Sequence, residues 1–316
     1  MIEIPEIINK SKKNDWLHVF LVASPILGIV SRTIIDNYKL SNQNVLIVSL
    51  RDTPLNIFHH NNIKIIPDKF DRYLEKILFD APSGRKIYKN INHPQKKFIV
   101  YSGWAYREVN YLLKKRNCKG HIYIEEGQGS YMNYRPYNFN KMTFQDKLKF
   151  NWRNRINPID GEGFFFRNDA KAYIGLDRDS FPRIPESKKF ILDNIYNIKK
   201  YYKPKIFGKK TIGLTSSASR LPKAEDWKKM LEILIQNLPD RSLLKPHPSF
   251  TSNKTAFSKF KFLFNQLNNK NIELCNSDVF IEIEMMYEKK NIIGPQSSLS
   301  RYASLIGSTY KQINLK

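Results

Sequence analysis

Leu17-His18-Val19-Phe20-Leu21-Val22, then Ala23-Ser24-Pro25, then an apolar-rich run from Ile26 to about Tyr38: this stretch decides the fold. It reads as a buried strand, a turn and a helix. Asn44 to Leu50 repeats the buried-strand pattern. Lys97 to Tyr101 gives a third strand, Tyr106 to Lys115 a helix, and His121 to Ile124 a fourth strand. Near-continuous Val/Ile/Leu runs separated by helices predict a parallel sheet covered on both faces. Ala172 to Leu176 is expected to be the last strand of this unit.

The composition then shifts. Two prolines fall between Arg178 and Pro185, and Ile198 to Lys210 is rich in lysine around Tyr201, Tyr202 and Pro204. Residues 178 to 208 are read as a linker. A second alternation follows: strand Thr211 to Leu214, helix Ala224 to Gln236, strand Arg241 to Leu244 and helix Thr255 to Leu267. A short strand at Ile272 to Leu274, a helix from Val279 to Tyr287 and a strand at Asn291 to Ile293 complete it. The expected architecture is α/β, with Rossmann-like domains at 1–177 and 209–316 facing a central cleft. In such sheets ligands sit beyond the carboxyl ends of the strands.

The bulk numbers agree with two packed cores. The chain has 316 residues, 41% hydrophobic and 13% aromatic, which suits folded domains and not disorder. No run approaches the roughly 20 apolar residues of a membrane span, and no export-signal pattern opens the sequence. The two cysteines, Cys118 and Cys275, form no CxxC pair. They read as free thiols in a reducing cytoplasm. The net charge of +24 points to a polyanionic partner: nucleic acid, an anionic membrane or an acidic polysaccharide. General solubility is the plainer explanation of the same charge.

Four segments follow expected strands directly. In Tyr123-Ile124-Glu125-Glu126-Gly127-Gln128-Gly129-Ser130, two carboxylates end a buried strand and two glycines let the backbone turn close to a ligand. Adjacent carboxylates repel, which favours one of them as a proton acceptor; a merely polar strand exit is the alternative. In Leu243-Leu244-Lys245-Pro246-His247-Pro248-Ser249, prolines fix a histidine at a strand end beside a lysine. That pair suits a leaving phosphate, although a stiff turn alone would look the same. His93-Pro94 precedes a strand and is set aside. In Ile292-Ile293-Gly294-Pro295-Gln296-Ser297-Ser298, two hydroxyls open a helix, as a phosphate site or a plain N-cap requires. Gly213-Leu214-Thr215-Ser216-Ser217-Ala218-Ser219-Arg220 offers small polar groups for a nucleotide or sugar.

Other chemistries find no support. Asp177-Arg178-Asp179 has metal–nucleotide spacing, but no further acid or histidine accompanies it, and no catalytic metal is expected. No GxGxxG or GxxxxGK[ST] is present. Nor is there an RNP, KH, zinc-finger or basic-zipper pattern, so nucleic acid is not expected as a partner.

Glu125-Glu126-Gly127, His247-Pro248 and Ser297-Ser298, in that order, resemble the three motifs of bacterial sialyltransferases of the GT-B type. Within that group the chain looks most like the capsular polysialyltransferases, because a polysialic acid acceptor carries a carboxylate on every residue and calls for a basic groove. The resemblance implies an inverting, metal-independent transfer of sialic acid from CMP-sialic acid, without a cofactor. It implies Glu126 as the base, with Glu125 second, and His247 assisting departure of CMP. Ser297 and Ser298 would hold the phosphate and Glu282 the ribose, with Glu284 as the alternative.

Lys245, Pro248, Gly213, Thr215 and Ser216 join the expected donor site. Lys96, Lys97, Lys114, Lys115, Arg116, Arg153 and Arg155, with Lys147 and Lys149, are the expected acceptor-groove residues. The implied location is the cytoplasm, peripheral to the anionic inner membrane and near capsule-assembly proteins. A lipooligosaccharide-type sialyltransferase acting on a galactose terminus is the nearest alternative.

Overall fold

A computed structural model describes residues 4–50, 61–65, 82–91, 96–104, 107–133, 142–145, 147, 170–192, 195–218, 221, 223–251 and 253–314. The chain divides into two compact units, Met1–Tyr201 and Tyr202–Lys316.

The first unit is built on a parallel sheet of β1 (Leu17–Val22), β2 (Val45–Ser49), β3 (Asn61–Lys64), β4 (Phe98–Ser102), β5 (Cys118–Ile124), β6 (Ala170–Gly175) and β7 (Lys189–Ile191). Its order is β3-β2-β1-β4-β5-β6-β7. Every residue of β1, β2 and β4 is buried, as a sheet covered on both faces requires. Helix α1 (Glu6–Lys13) precedes β1, and α2 (Pro25–Asn37) follows it. Ser24 caps α2 by accepting the Leu27 N–H on its hydroxyl, and Pro25 takes the first position, where no amide hydrogen is missed. Helices α3 (Pro82–Asn90) and α4 (Arg107–Leu113) pack on each other.

The second unit holds β8 (Thr211–Leu214), β9 (Leu243–Lys245), β10 (Glu273–Leu274), β11 (Asn291–Gly294) and β12 (Thr309–Gln312) in the order β10-β9-β8-β11-β12, again parallel. Helices α5 (Ala224–Asn237), α6 (Pro248–Thr251), α7 (Lys254–Leu267), α8 (Ile281–Tyr287) and α9 (Leu299–Ile306) connect them. Met230, Leu231 and Leu234 of α5 join Phe250, Phe260 and Phe264 in one apolar core.

Residues 178 to 208 are not a free connector. They contain β7, which extends the first sheet beyond β6, so Ala170–Gly175 is not the last strand. They also contain a 3-10 helix, Ile195–Tyr201. Tyr201 is seated in the first unit: the Arg32 guanidinium lies 3.7 Å from its ring centroid and donates to its hydroxyl. Tyr202 to Gly208 is bound to the second unit. Glu284 accepts the Tyr202 hydroxyl at 2.8 Å and the Lys205 N–H at 2.7 Å, and the buried Lys290 ammonium donates to the carbonyls of Ile206 and Lys209. The prolines and lysines here mark turns around a short edge strand, and the boundary falls between Tyr201 and Tyr202.

His18, in β1, is buried between Ser11 and Tyr101; its Nδ1 lies 2.7 Å from the Tyr101 hydroxyl. Burial, with a smaller contribution from Lys12, depresses its pKa to about 4. Between pH 6.5 and about 4 the unfolded chain therefore binds a proton that the folded chain refuses, so acidification destabilises the fold. The expected loss from this group is about 3 kcal/mol across that window. Urea unfolding at pH 7 and pH 4.5 should show His18→Gln losing less stability on acidification than the parent; parallel losses would remove His18 as the cause.

Candidate functional site

In the first unit the polar residues gather at the carboxyl ends of β4, β5 and β6. Glu125 and Glu126 leave β5 side by side but do different things. Glu125 is fully buried. Its carboxylate accepts the Leu176 N–H at 2.7 Å, just past β6, and the Tyr131 hydroxyl at 2.5 Å. It ties the β5 exit to the β6 exit. Glu126 is half-buried, its side chain lying over Gly103 just past β4. A Cβ at Gly103 would come within 2.2 Å of a Glu126 carboxylate oxygen, so only glycine permits that approach.

The turn after them is equally specific. Gly127 has φ of 101°, a conformation that favours glycine. The Ser130 hydroxyl accepts the Glu126 N–H at 3.0 Å, and Trp104 fills the space a Cβ at Gly129 would need. The result holds one carboxylate as a strut and the next where a ligand beyond the strand ends can meet it.

The topology supports that location. The chain runs β1 to β3 toward one edge of the sheet and β4 to β7 toward the other, so the crossover reverses between β1 and β4. Open α/β sheets bind ligands beyond the strand ends at such a reversal. Glu126 packs on the exit of β4, one of the two strands that flank it. In the second sheet the reversal lies between β8 and β11. Thr215 and Ser216 follow β8, Ser297 and Ser298 follow β11, and Lys245 and His247 lie at the end of the adjacent β9. The expected donor residues of this unit thus fall on one edge of one sheet.

Their contacts are explicit. Thr215 is buried, and its hydroxyl accepts the His247 N–H at 2.7 Å. His247 is exposed, and Pro248 follows it as the first residue of α6. Ser297 accepts the Leu299 N–H on its hydroxyl at 3.3 Å, and Ser298 occupies the N-cap of α9 without a side-chain capping bond. Tyr310 donates to the Pro295 carbonyl, and burial pushes its pKa up to about 12.

Lys245 is half-buried and donates to the Asn276 carbonyl. Burial lowers its pKa, opposed by the charges of Cys275, Glu282 and Asp278. Burial raises the pKa of Glu282, opposed in part by Lys245. Burial likewise pushes the Cys275 thiol up to about 11. Glu282 therefore stands in the same charge cluster as Lys245. Glu284, its alternative, is almost fully buried and spends its carboxylate on the Tyr202 hydroxyl and the N–H groups of Lys205 and Ile206.

Two groups of expected site residues sit elsewhere. Gly213 lies inside β8, where a Cβ would strike Leu238 at 2.7 Å; it is a packing position. Lys96 and Lys97 precede β4, and Lys114, Lys115 and Arg116 lie between α4 and β5. These are the amino ends of the strands. Lys96 donates to Asn44 at 2.8 Å, and Lys115 lies over the Tyr88 and Tyr111 rings. The strand rise of about 3.3 Å per residue puts roughly 20 Å of sheet between this edge and Glu126. The five are thus not residues of a groove at the carboxyl ends. Lys149, Arg153, Arg155, Ser219, Arg220 and His93 lie outside the described residues. The Lys147 N–H donates to Thr143.

Asp177 forms a local turn, accepting the Asp179 N–H at 2.6 Å on its carboxylate and the Ser180 hydroxyl on its carbonyl. Among the described residues no three His, Cys, Asp or Glu side chains gather as metal ligands. Among them, too, no helix is long and apolar enough to cross a membrane. The sequence signals missed the strut role of Glu125 and the contact of Ser249 with the His247 ring; neither leaves a pattern apart from the fold.

No protein-family model matches the chain, and no curated protein matches it. Solved structures do. The Staphylococcus aureus protein MnaA, in a co-structure with UDP, is 12% identical over 93% of this chain and 78% of its own, with a TM-score of 0.55. UDP-GlcNAc 2-epimerase from Neisseria meningitidis, bound to UDP-GlcNAc, is 11% identical over 94% of this chain and 82% of its own, with a TM-score of 0.54. With two parallel-sheet units, these likenesses establish a GT-B-type α/β fold.

Proposed function

We propose that this protein is a glycosyltransferase that moves sialic acid from CMP-sialic acid onto a growing acidic polysaccharide. The observation that carries the reading is placement: Glu126, His247 and the Ser297-Ser298 pair each lie just beyond the carboxyl end of a parallel strand, near the reversal of its own sheet. The order of these motifs along the chain supports a sialyl donor, and the charge of +24 supports an anionic acceptor.

In this reading an acceptor hydroxyl attacks the anomeric carbon of the sialic acid and a new C–O bond forms. The bond from that carbon to the CMP phosphate oxygen breaks, and its electron pair leaves with the phosphate. Glu126 takes the hydroxyl proton. His247 donates a hydrogen bond to the departing phosphate, which Ser297 and Ser298 hold. Configuration inverts in the single displacement.

A second reading has one observation behind it: both solved relatives were captured with UDP or a UDP-sugar. It makes the donor a UDP-sugar. Incubation with CMP-sialic acid and with UDP-GlcNAc, each with and without short sialic acid oligomers, separates the two. Elongated oligomers and released CMP are expected from the first mixture alone. UDP release or a new UDP-sugar from the second would favour the alternative, and elongation of lactose-type acceptors instead of oligomers would make the acceptor a neutral galactose. The reading assigns no step to a metal, so a chelator is expected to leave turnover intact.

A further inference from the structure

The sequence His247-Pro248-Ser249 fixes which imidazole nitrogen carries the proton. Helix α6 begins at Pro248, which has no N–H and a preset φ. The first amide of that turn in need of an acceptor is therefore Ser249, and it donates to His247 Nδ1 at 3.1 Å. The Ser249 hydroxyl lies 2.9 Å from the same nitrogen. That hydroxyl already accepts the Ala218 N–H at 2.8 Å, so its own hydrogen is available to Nδ1. A backbone N–H donates and never accepts. Nδ1 therefore presents its lone pair, and the neutral ring keeps its proton on Nε2. Thr215 holds the His247 backbone beneath it.

We propose that Ser249 is a positioning residue that holds His247 as the neutral Nε2–H tautomer, so that His247 meets a leaving phosphate as a hydrogen-bond donor and not as a charged acid. A proton on Nδ1 would face the Ser249 N–H and break that bond. A fixed neutral donor stabilises charge developing on phosphate oxygen without a proton being transferred. The donor role rests on the transferase reading above; the tautomer does not.

The test uses the full chain labelled with 15N-histidine and long-range proton–nitrogen correlation at neutral pH. The chain has six histidines, and the signals missing from His247→Gln identify the right ring. The parent should show the two well-separated nitrogen shifts of an Nε2–H ring. Ser249→Ala, which leaves only the backbone donor, should move them toward each other as the second tautomer is sampled. Ser249→Thr, which keeps a hydroxyl, should restore them. A proton on Nδ1, a charged ring at neutral pH, or a Ser249→Ala spectrum identical to the parent's would overturn the proposal.

No substrate enters that measurement. A parent inactive on every donor but carrying the Nε2–H signal would sink the transferase reading and leave the tautomer standing. Where turnover is present, His247→Gln offers an amide N–H in place of Nε2–H. It is expected to retain about tenfold more turnover than His247→Ala, the size of one hydrogen bond to a charged group. Equal losses in the two would mean that hydrogen-bond donation is not what His247 supplies.

Discussion

Glu126→Gln is expected to lower turnover by about 10²- to 10⁴-fold, the usual range for removing a general base, with no loss of thermal stability. Its side chain is half-buried over Gly103, and its backbone N–H stays on the Ser130 hydroxyl whatever the side chain. Glu125 should behave in the opposite way. Its carboxylate holds the Leu176 N–H and the Tyr131 hydroxyl in the interior. Gln at 125 can still accept the amide on its oxygen and donate to the tyrosine oxygen from its nitrogen, so Glu125→Gln should keep both fold and turnover. Glu125→Ala takes the acceptor from two part-buried donors, each costing up to about 1–3 kcal/mol, and leaves a cavity in the interior, so it should melt early. Single-turnover rates and thermal melts on the three variants separate base from strut. A fast Glu126→Gln beside a stable, dead Glu125→Gln would exchange the two roles.

The interior strands were legible because they are almost wholly apolar. β1, β2 and β4 bury every residue, and no other element type explains such short unbroken runs. The edges were not. β3 reads Asn-Asn-Ile-Lys, β7 reads Lys-Phe-Ile, and β12 reads Thr-Tyr-Lys-Gln. A strand with one neighbour needs few buried side chains, so its composition is that of a loop. The same blindness placed a linker at 178 to 208, where β7 and the Tyr201 seat belong to the first unit.

The basic residues failed for a different reason, one that was open to sequence reasoning. Lys96, Lys97 and Arg116 stand immediately before strands and Glu125 immediately after one. In a parallel sheet, before and after are opposite edges. Nearness along the chain to the Glu-Glu-Gly turn therefore argues against a shared groove. The candidate site itself was legible because a polar or glycine-containing turn after a buried strand has one place to be. What sequence did not carry was the division of labour: Glu125 and Glu126 differ only in which way the pleat points them, and one reaches the interior while the other reaches the strand ends.

His247→Ala and the paired Ser297→Ala, Ser298→Ala change should part along kinetic lines. The histidine is exposed at the end of β9, and its backbone is fixed by Thr215 whether or not a ring is present. Removing the ring leaves the ground-state complex almost unaltered and takes away an interaction that strengthens as the phosphate gains charge. Turnover should fall by about 10²- to 10³-fold, the usual loss when one preorganised donor to developing charge is removed, with the donor Michaelis constant nearly unchanged. The serines act differently. A phosphate on their hydroxyls and on the start of α9 is held before and after the displacement alike, and uniform binding of that kind raises the Michaelis constant without slowing the bound complex. Ser298 has no side-chain capping bond to lose, and Ser297 gives up a long one to the Leu299 N–H at 3.3 Å and its contact with the part-buried Tyr310, so the fold should tolerate both changes at modest cost. Initial rates across a donor series then decide the matter. A histidine variant impaired only in the Michaelis constant would make His247 a binding residue, and a serine pair impaired only in turnover would move the phosphate away from α9.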